Sequence, residues 1–154
     1  MKREEGITLI ELLVVMFLLV LLSSIMLPNM SGIIEGYRLD TAARQMAQEI
    51  REVQQWSITL QDSYVIKFYS DFNYYHLPLR QDNFIKHRID LPQGVTFEEV
   101  SYVGTSSSRL SFNAKGTPNL GGHIILKGAG QYREISITPV TGRVKVYKGR
   151  RVLQ

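Results

Sequence analysis

The stretch EEGITLIELLVVMFLLVLLSS, residues 4–24, decides the fold of the chain. Its apolar part continues to Leu27, and between Ile7 and Leu27 there is one charged side chain, Glu11. A helix of about 20 apolar residues crosses the hydrocarbon core of a bilayer, whereas a soluble helix is rarely apolar on every face over such a length. The sequence therefore predicts a transmembrane helix over residues 7–27.

Glu11 requires an explanation, because an ionised side chain in the bilayer is costly and usually has a partner. No basic residue occurs between Ile7 and Tyr37. A cut after Gly6 would create a cation, the α-amino group of Ile7, four residues before Glu11. The geometry allows an ion pair between Glu11 and this amine, either within one chain or between two chains. Neither a secretory signal cut near Ser23-Ser24 nor a plain signal anchor accounts for the glutamate.

The hexapeptide GITLIE, residues 6–11, resembles the class III signal of type IV prepilins and pseudopilins. The resemblance implies that a membrane-embedded aspartyl peptidase cuts between Gly6 and Ile7 on the cytoplasmic side and N-methylates Ile7. It implies that Glu11, the fifth mature residue, acts in assembly. Pro28 stands where many pilins have a helix-kinking proline. One departure is Ile7 itself, since phenylalanine is commoner there in the family.

Beyond Pro28, apolar residues recur every three or four positions as far as Leu60, and this spacing predicts an amphipathic helix. The predicted stripe contains Leu39, Ala43, Met46, Ile50, Val53, Ser57 and Leu60. One helix from Ile7 to Leu60 would be about 80 Å long. The predicted organisation is a leader at 1–6, a transmembrane helix at 7–27, its amphipathic continuation at 28–60 and a globular β domain at 61–154.

In the last segment the pattern changes to alternation and β-branched or aromatic residues between turn-forming residues, which predicts strands. The expected fold class is α+β, a long N-terminal helix packed on a small antiparallel sheet or sandwich, as in pilins. The predicted strands are Tyr64–Tyr69, Tyr74–Leu77, Phe84–Ile89, Val95–Val103, Arg109–Phe112, His123–Lys127, Tyr132–Thr138 and Arg143–Tyr147.

Residues 109–148 carry a narrower resemblance, to the C-terminal region of ComGD-type minor pseudopilins of Gram-positive competence systems. It depends on short motifs: Phe112-Asn113, Lys115-Gly116, Pro118-Asn119, Gly121-Gly122, Lys127-Gly128 and Thr141-Gly142-Arg143-Val144. The broader GspH/FimT group shares part of this pattern. The stretch therefore separates minor subunits from major pilins better than it separates minor subunits from one another.

The sequence argues against an enzyme. There are no cysteines, and His76, His87 and His123 lack metal-ligand spacing. Glu98 and Glu99 are adjacent on a predicted strand, so they are expected on opposite faces and not as a catalytic pair. We expect no catalytic residue, cofactor, metal or small-molecule substrate.

The net charge of +4 comes from the C-terminus, because residues 142–154 hold five basic side chains and no acid. The simple interpretation is a solvated last strand. The alternative is weak, salt-sensitive contact with DNA phosphates or attraction to anionic wall polymer or lipid. The candidate residues for DNA contact are Arg143, Lys145, Lys148, Arg150 and Arg151.

The resemblance implies a minor pseudopilin of a competence pilus, which supports pilus initiation and the uptake of extracellular DNA. The expected partners are other competence pseudopilins, the prepilin peptidase and the membrane. The expected location is the cell membrane, crossed once with the C-terminal domain outside, and the cell surface after processing. The alternatives are a minor pseudopilin of a type II secretion or type IV pilus system and, less well supported, a membrane-anchored binding domain.

Overall fold

The computed structural model describes residues 8–26, 30–79, 86–102 and 108–150. Two helices come first, α1 Leu9–Met26 and α2 Met30–Leu60. The chain divides into two compact units, Met1–Ile34 and Glu35–Gln154, so most of α2 belongs with the β domain. Across the described ranges, no helix combines the length and the hydropathy that are required to cross a membrane.

Within the described residues, eight strands follow α2 and form two four-stranded antiparallel sheets. The first sheet has the order β3-β2-β1-β5 and the second the order β4-β6-β7-β8. The predicted α+β class is confirmed, and each of the eight predicted strands corresponds to a strand of the structure. Within the described residues, two strands have the predicted ends and the others shift by one residue; Phe84, Ile85 and Val103 of the predicted strands lie outside the described residues. The strands are β1 Tyr64–Tyr69, β2 Tyr74–Pro78, β3 Lys86–Asp90, β4 Thr96–Tyr102, β5 Arg109–Phe112, β6 Gly122–Gly128, β7 Gln131–Ile137 and β8 Val144–Lys148.

One face of α2 lies at the centre of the hydrophobic core, which also takes apolar side chains from both sheets. The predicted stripe is confirmed at its first six positions, and the structure adds Ala42 and Ala47 to it. The prediction for Leu60 is wrong, because this side chain is 42% exposed. The helix ends at Leu60, and Gln61 reverses the chain with a φ of 54°.

A buried hydrogen bond ties α2 to the first sheet. The Tyr75 hydroxyl on β2 donates to the Glu49 carboxylate on α2, while the Tyr75 side chain is 2% exposed. Burial, and secondly this hydrogen bond, raise the pKa of the Tyr75 phenol. The phenol therefore stays protonated and remains a donor at physiological pH. This bond complements the apolar contacts between the helix and the sheet.

Candidate functional site

The first turn of α1 places Glu11 at a helix cap. The Glu11 backbone N–H donates to the Thr8 carbonyl at 3.1 Å and lies 3.4 Å from the Thr8 hydroxyl. Thr8-x-x-Glu11 has the spacing of a capping box, in which the glutamate supports the start of the helix. The backbone of Glu11 is therefore part of the first turn of α1, at a spacing that the sequence reasoning missed, and its side chain is exposed.

Several predicted sites lie outside the described residues. These are Gly6 and Ile7 of the processing site, Pro28, and Arg151 of the basic tail. Of the predicted transmembrane segment 7–27, α1 covers residues 9–26, while residues 7 and 27 lie outside the described residues. From Thr8 to Ser24 every side chain of the first unit is exposed, Glu11 included. This unit thus presents an apolar surface that its own fold does not cover.

The four basic residues of the tail that the structure describes do not form one patch. Arg143, Lys145 and Lys148 are exposed, whereas Arg150 pairs with Glu99 of β4 at 2.9 Å. Successive residues of a strand point to opposite faces, so Lys145 and Lys148 leave β8 on different sides. Arg150 is consequently a poor candidate for phosphate contact.

Lys145 instead joins two arginines of α2 across a groove between the helix and the edge strand β8. The basic groove has a volume of about 390 Å³ and is lined by Arg44, Ala47, Gln48, Arg51, Lys145 and Val146. Arg44, Gln48 and Arg51 follow one another at helical spacing and therefore lie on one face of α2. Nothing in the local sequence pattern connects them with a strand almost a hundred residues later.

Hydrogen bonds fix the two arginines of the basic groove. Arg51 donates through Nη2 to the Val144 carbonyl at 2.8 Å, so it holds the strand edge and keeps its charge. Arg44 pairs through Nε with Asp40 at 2.6 Å, and Arg133 reaches the same carboxylate at 3.0 Å. The bonds from Arg44 and then from Arg133 lower the pKa of Asp40 below its usual value. Asp40 is thus ionised at neutral pH and offsets part of the positive charge.

The glycine motifs of residues 109–148 meet the end of α2. Gln54 donates through Nε2 to the carbonyls of Gly116, at 2.8 Å, and Thr141, at 3.3 Å. A Cβ on Gly116 would lie 2.6 Å from Ile58 Cδ1, and one on Gly142 would lie 2.3 Å from Gln54 Nε2. Both glycines have positive φ, 74° and 64°. The motif residues therefore form part of the surface against which the end of α2 packs.

One expectation about the acidic pair on β4 is wrong. Glu98 pairs with Lys127 at 3.3 Å and Glu99 with His123 at 3.3 Å. Lys127 and His123 are four residues apart on β6 and so share a face, which means that both glutamates lie on that face. The cause is a β-bulge between Phe97 and Glu99, which interrupts the alternation. Each carboxylate is ion-paired, and in the described ranges no group of three or more acidic or histidine side chains could hold a metal ion.

The chain is similar to known proteins at both its N-terminus and its fold. The model of the prokaryotic N-terminal methylation motif matches residues 1–27. The fold is similar to that of the minor pseudopilin EpsH from the Type 2 Secretion System of Vibrio cholerae. The TM-score is 0.54 at 9% identity, over 72% of this chain and 97% of that chain. The motif and the fold together define a chain with an N-terminal methylation motif and a pilin-like fold.

The particular family follows from a full-length relative. The chain is 31% identical over 146 residues, 95% of each chain, to the competence protein ComGD of Bacillus subtilis (strain 168). The chain therefore belongs to the ComGD family. Neither relative is named as an enzyme.

Proposed function

We propose that the protein is a minor pseudopilin of a competence pilus, which supports pilus initiation and the uptake of extracellular DNA. The observation that carries this proposal is the similarity to a competence protein over 95% of the chain, which includes both the N-terminal motif and the β domain. The likeness to EpsH supports the fold but does not identify the secretion or pilus system to which the subunit belongs. A subunit of a type II secretion or type IV pilus system is therefore the alternative.

Processing is the first step of the proposed function. The prepilin peptidase cuts after Gly6 and methylates the amine of Ile7. The match of the N-terminal methylation motif to residues 1–27 supports this assignment. Before assembly, the apolar segment 7–27 holds the subunit in the membrane, crossed once, with the β domain outside.

Assembly is the second step, and Glu11 is the residue that we propose for it. The exposed glutamate of α1 pairs with the α-amino group that the cut creates, on its own chain or on a neighbouring subunit. A desolvated carboxylate without a partner is costly, so the pair favours subunits in contact over subunits alone in the lipid. Other competence pseudopilins, major and minor, are the proposed partners.

The test separates the charge of Glu11 from its role at the helix cap. Glutamine also serves in a capping box, so Glu11→Gln retains the cap and removes the charge, whereas Glu11→Ala removes both. In the native host we expect both variants to reach the membrane and be cut after Gly6, and both to fail to co-purify with other pseudopilins. Transformation frequency should fall by the same factor in the two strains.

Other outcomes would count against the proposal. Normal assembly of Glu11→Gln would show that the charge of Glu11 is not needed for assembly. Mass spectrometry that finds an uncut N-terminus would favour a membrane-anchored binding domain that does not assemble. Loss of protein secretion with intact transformation would assign the subunit to a secretion system.

A further inference from the structure

One row of basic side chains crosses the whole outer face of the first sheet. Lys67 on β1 lies opposite Arg109 on β5 and opposite His76 on β2, and His76 lies opposite Arg88 on β3. We call these four residues the cationic row. Strands lie about 4.8 Å apart, so the row is about 14 Å wide.

The alternation of burial places the row outside the core. On β1 the residues Ile66 and Phe68 are buried, while Lys67 between them is half-buried. On β5 Leu110 is fully buried and its neighbour Arg109 is exposed. The row therefore faces away from α2 and from the basic groove, and it forms a separate surface.

Two cations of the row, Lys67 and Arg109, lack a compensating acid. Among the ion pairs of the described residues, none involves either of these side chains, whereas Arg88 pairs with Asp90, with Nε 2.9 Å from Oδ1. Lys67 and Arg109 are directly opposite each other, an arrangement of like charges that destabilises a sheet. A cleft of about 150 Å³ opens beside them, and Tyr69 and Ser108 also contribute to its lining. An anion in this cleft would relieve the repulsion.

Aromatic rings line one side of the row. Tyr69 and Tyr74 stack with centroids 4.6 Å apart, and the Arg88 guanidinium covers Tyr74 at 4.1 Å from its centroid. Phe72, next to them, is 71% exposed. Exposed aromatic rings beside cations on a four-stranded sheet are the combination that binds single-stranded nucleic acids, with phosphates on the cations and bases on the rings.

We propose that this face binds single-stranded nucleic acid, with phosphates along the cationic row and a base against Phe72 or the outer side of Tyr69. The inference deepens the proposed function and rests on it for its biological role. A wall polymer of glycerol phosphate has the same charge but no planar group, so the exposed ring of Phe72 favours the nucleic acid. Because Tyr74 is covered on both sides, base contact is limited and recognition is independent of sequence.

The test uses the full processed chain in a neutral detergent and a labelled DNA strand of about 12 nucleotides, within the site sizes of such surfaces. The row variant is Lys67→Glu with Arg109→Glu. The matched control is Arg38→Glu with Lys115→Glu, two exposed residues away from this face, so both variants change the net charge equally. Fluorescence anisotropy between about 50 and 200 mM salt gives the affinity and its salt dependence.

We expect the row variant to bind the strand about tenfold more weakly and the control nearly as well as the native chain. The slope of log K against log salt should become less steep by about 1.4, since each lost phosphate contact on a single strand contributes about 0.7. Phe72→Ala should weaken binding of the DNA strand and leave binding of poly(glycerol phosphate) unchanged. If the charge reversal unfolds the chain, Lys67→Gln with Arg109→Gln gives the same test.

Equal losses in the row variant and the control would overturn the inference, since nonspecific charge would then explain binding. So would equally tight binding of poly(glycerol phosphate) together with no effect of Phe72→Ala, which would assign the face to a wall polymer. If DNA binding depends on the row but the chain is never cut after Gly6, the inference stands and the proposed function is wrong. If the subunit is processed and supports transformation but the row variant binds DNA as well as the native chain, the proposed function stands and the inference is wrong.

Discussion

At the scale of the residue, Gly142 shows why the terminal motif contains glycine. Its φ of 64° is one that other residues adopt only at a cost, and the Gln54 amide stands where a Cβ would be. The same amide bonds to the carbonyls of Gly116 and Thr141. The resemblance identified the motif, but only the fold shows that its purpose is to admit a side chain of α2.

We predict that Gly142→Ala lowers the free energy of unfolding by about 2–3 kcal/mol, from backbone strain and displacement of Gln54. Gly130→Ala is the matched control, because Gly130 has a φ of 70° but open space around its Cα. Gly130→Ala should lower the free energy of unfolding only by the backbone strain, about 1 kcal/mol. Urea unfolding of the full chain in detergent measures both. Equal losses would show that the contact with Gln54 is unimportant.

Asp40 gives a second prediction at this scale, with a defined dependence on pH. Its pKa is lowered in the folded state, chiefly by Arg44 and then Arg133, so the unfolded chain binds the proton more tightly. The stabilisation is therefore fully present above the unfolded pKa, near 3.9, and is lost as the pH falls through the lower folded value.

We predict that Asp40→Asn lowers the free energy of unfolding by about 1–2 kcal/mol at pH 7, because Arg133, itself 9% exposed, loses a charged hydrogen bond. The difference from the native chain should shrink as the pH falls below about 4. Arg44→Gln is the comparison: it removes the exposed partner and should cost less. A constant difference from pH 7 to pH 3 would contradict the assignment.

At the scale of the element, β8 meets α2 along the basic groove, where Lys145 lies near Arg44 and Arg51. The tail residues were candidates for DNA contact, and the fold separates them. Lys145 gains basic neighbours from the helix, while Arg150 is neutralised by Glu99. We propose that Lys145, which lies in the basic groove, is the tail residue that contacts DNA phosphates.

The prediction compares two single changes of equal charge. Lys145→Gln should weaken binding of duplex DNA a few-fold and make the slope of log K against log salt less steep by about 0.9, whereas Arg150→Gln should leave both nearly unchanged. Retention of a labelled duplex by the full chain, measured over a range of salt, checks this. A similar loss in the two variants would mean that the tail acts only through its total charge.

Sequence periodicity predicts the helices and strands well here, because each of them is formed by residues that are close together in the chain. The alternation of residues 64–69 predicted β1 with its observed ends, and the spacing of α2 placed Met46 in the core correctly. The errors arise where a local rule is interrupted, as at the bulge before Glu99 and at the end of α2 beyond Leu60.

The site is less predictable than the fold, since it depends on pairings between distant residues. The basic groove needs residues 44 and 145 together, and the cationic row needs four strands in one register. No pattern within either strand or helix contains this information. The N-terminal methylation motif is the exception, because it is one continuous segment and can therefore be recognised in the sequence alone.

At the scale of the whole molecule, the contact between Arg51 and Val144 joins residues 93 positions apart. The last strand is needed to close the core, because Val144 is 5% exposed within it. Chains dominated by such distant contacts fold slowly. During synthesis α2 is therefore made long before β8 exists, and the part of the core that Val144 closes stays open until nearly the whole chain has emerged.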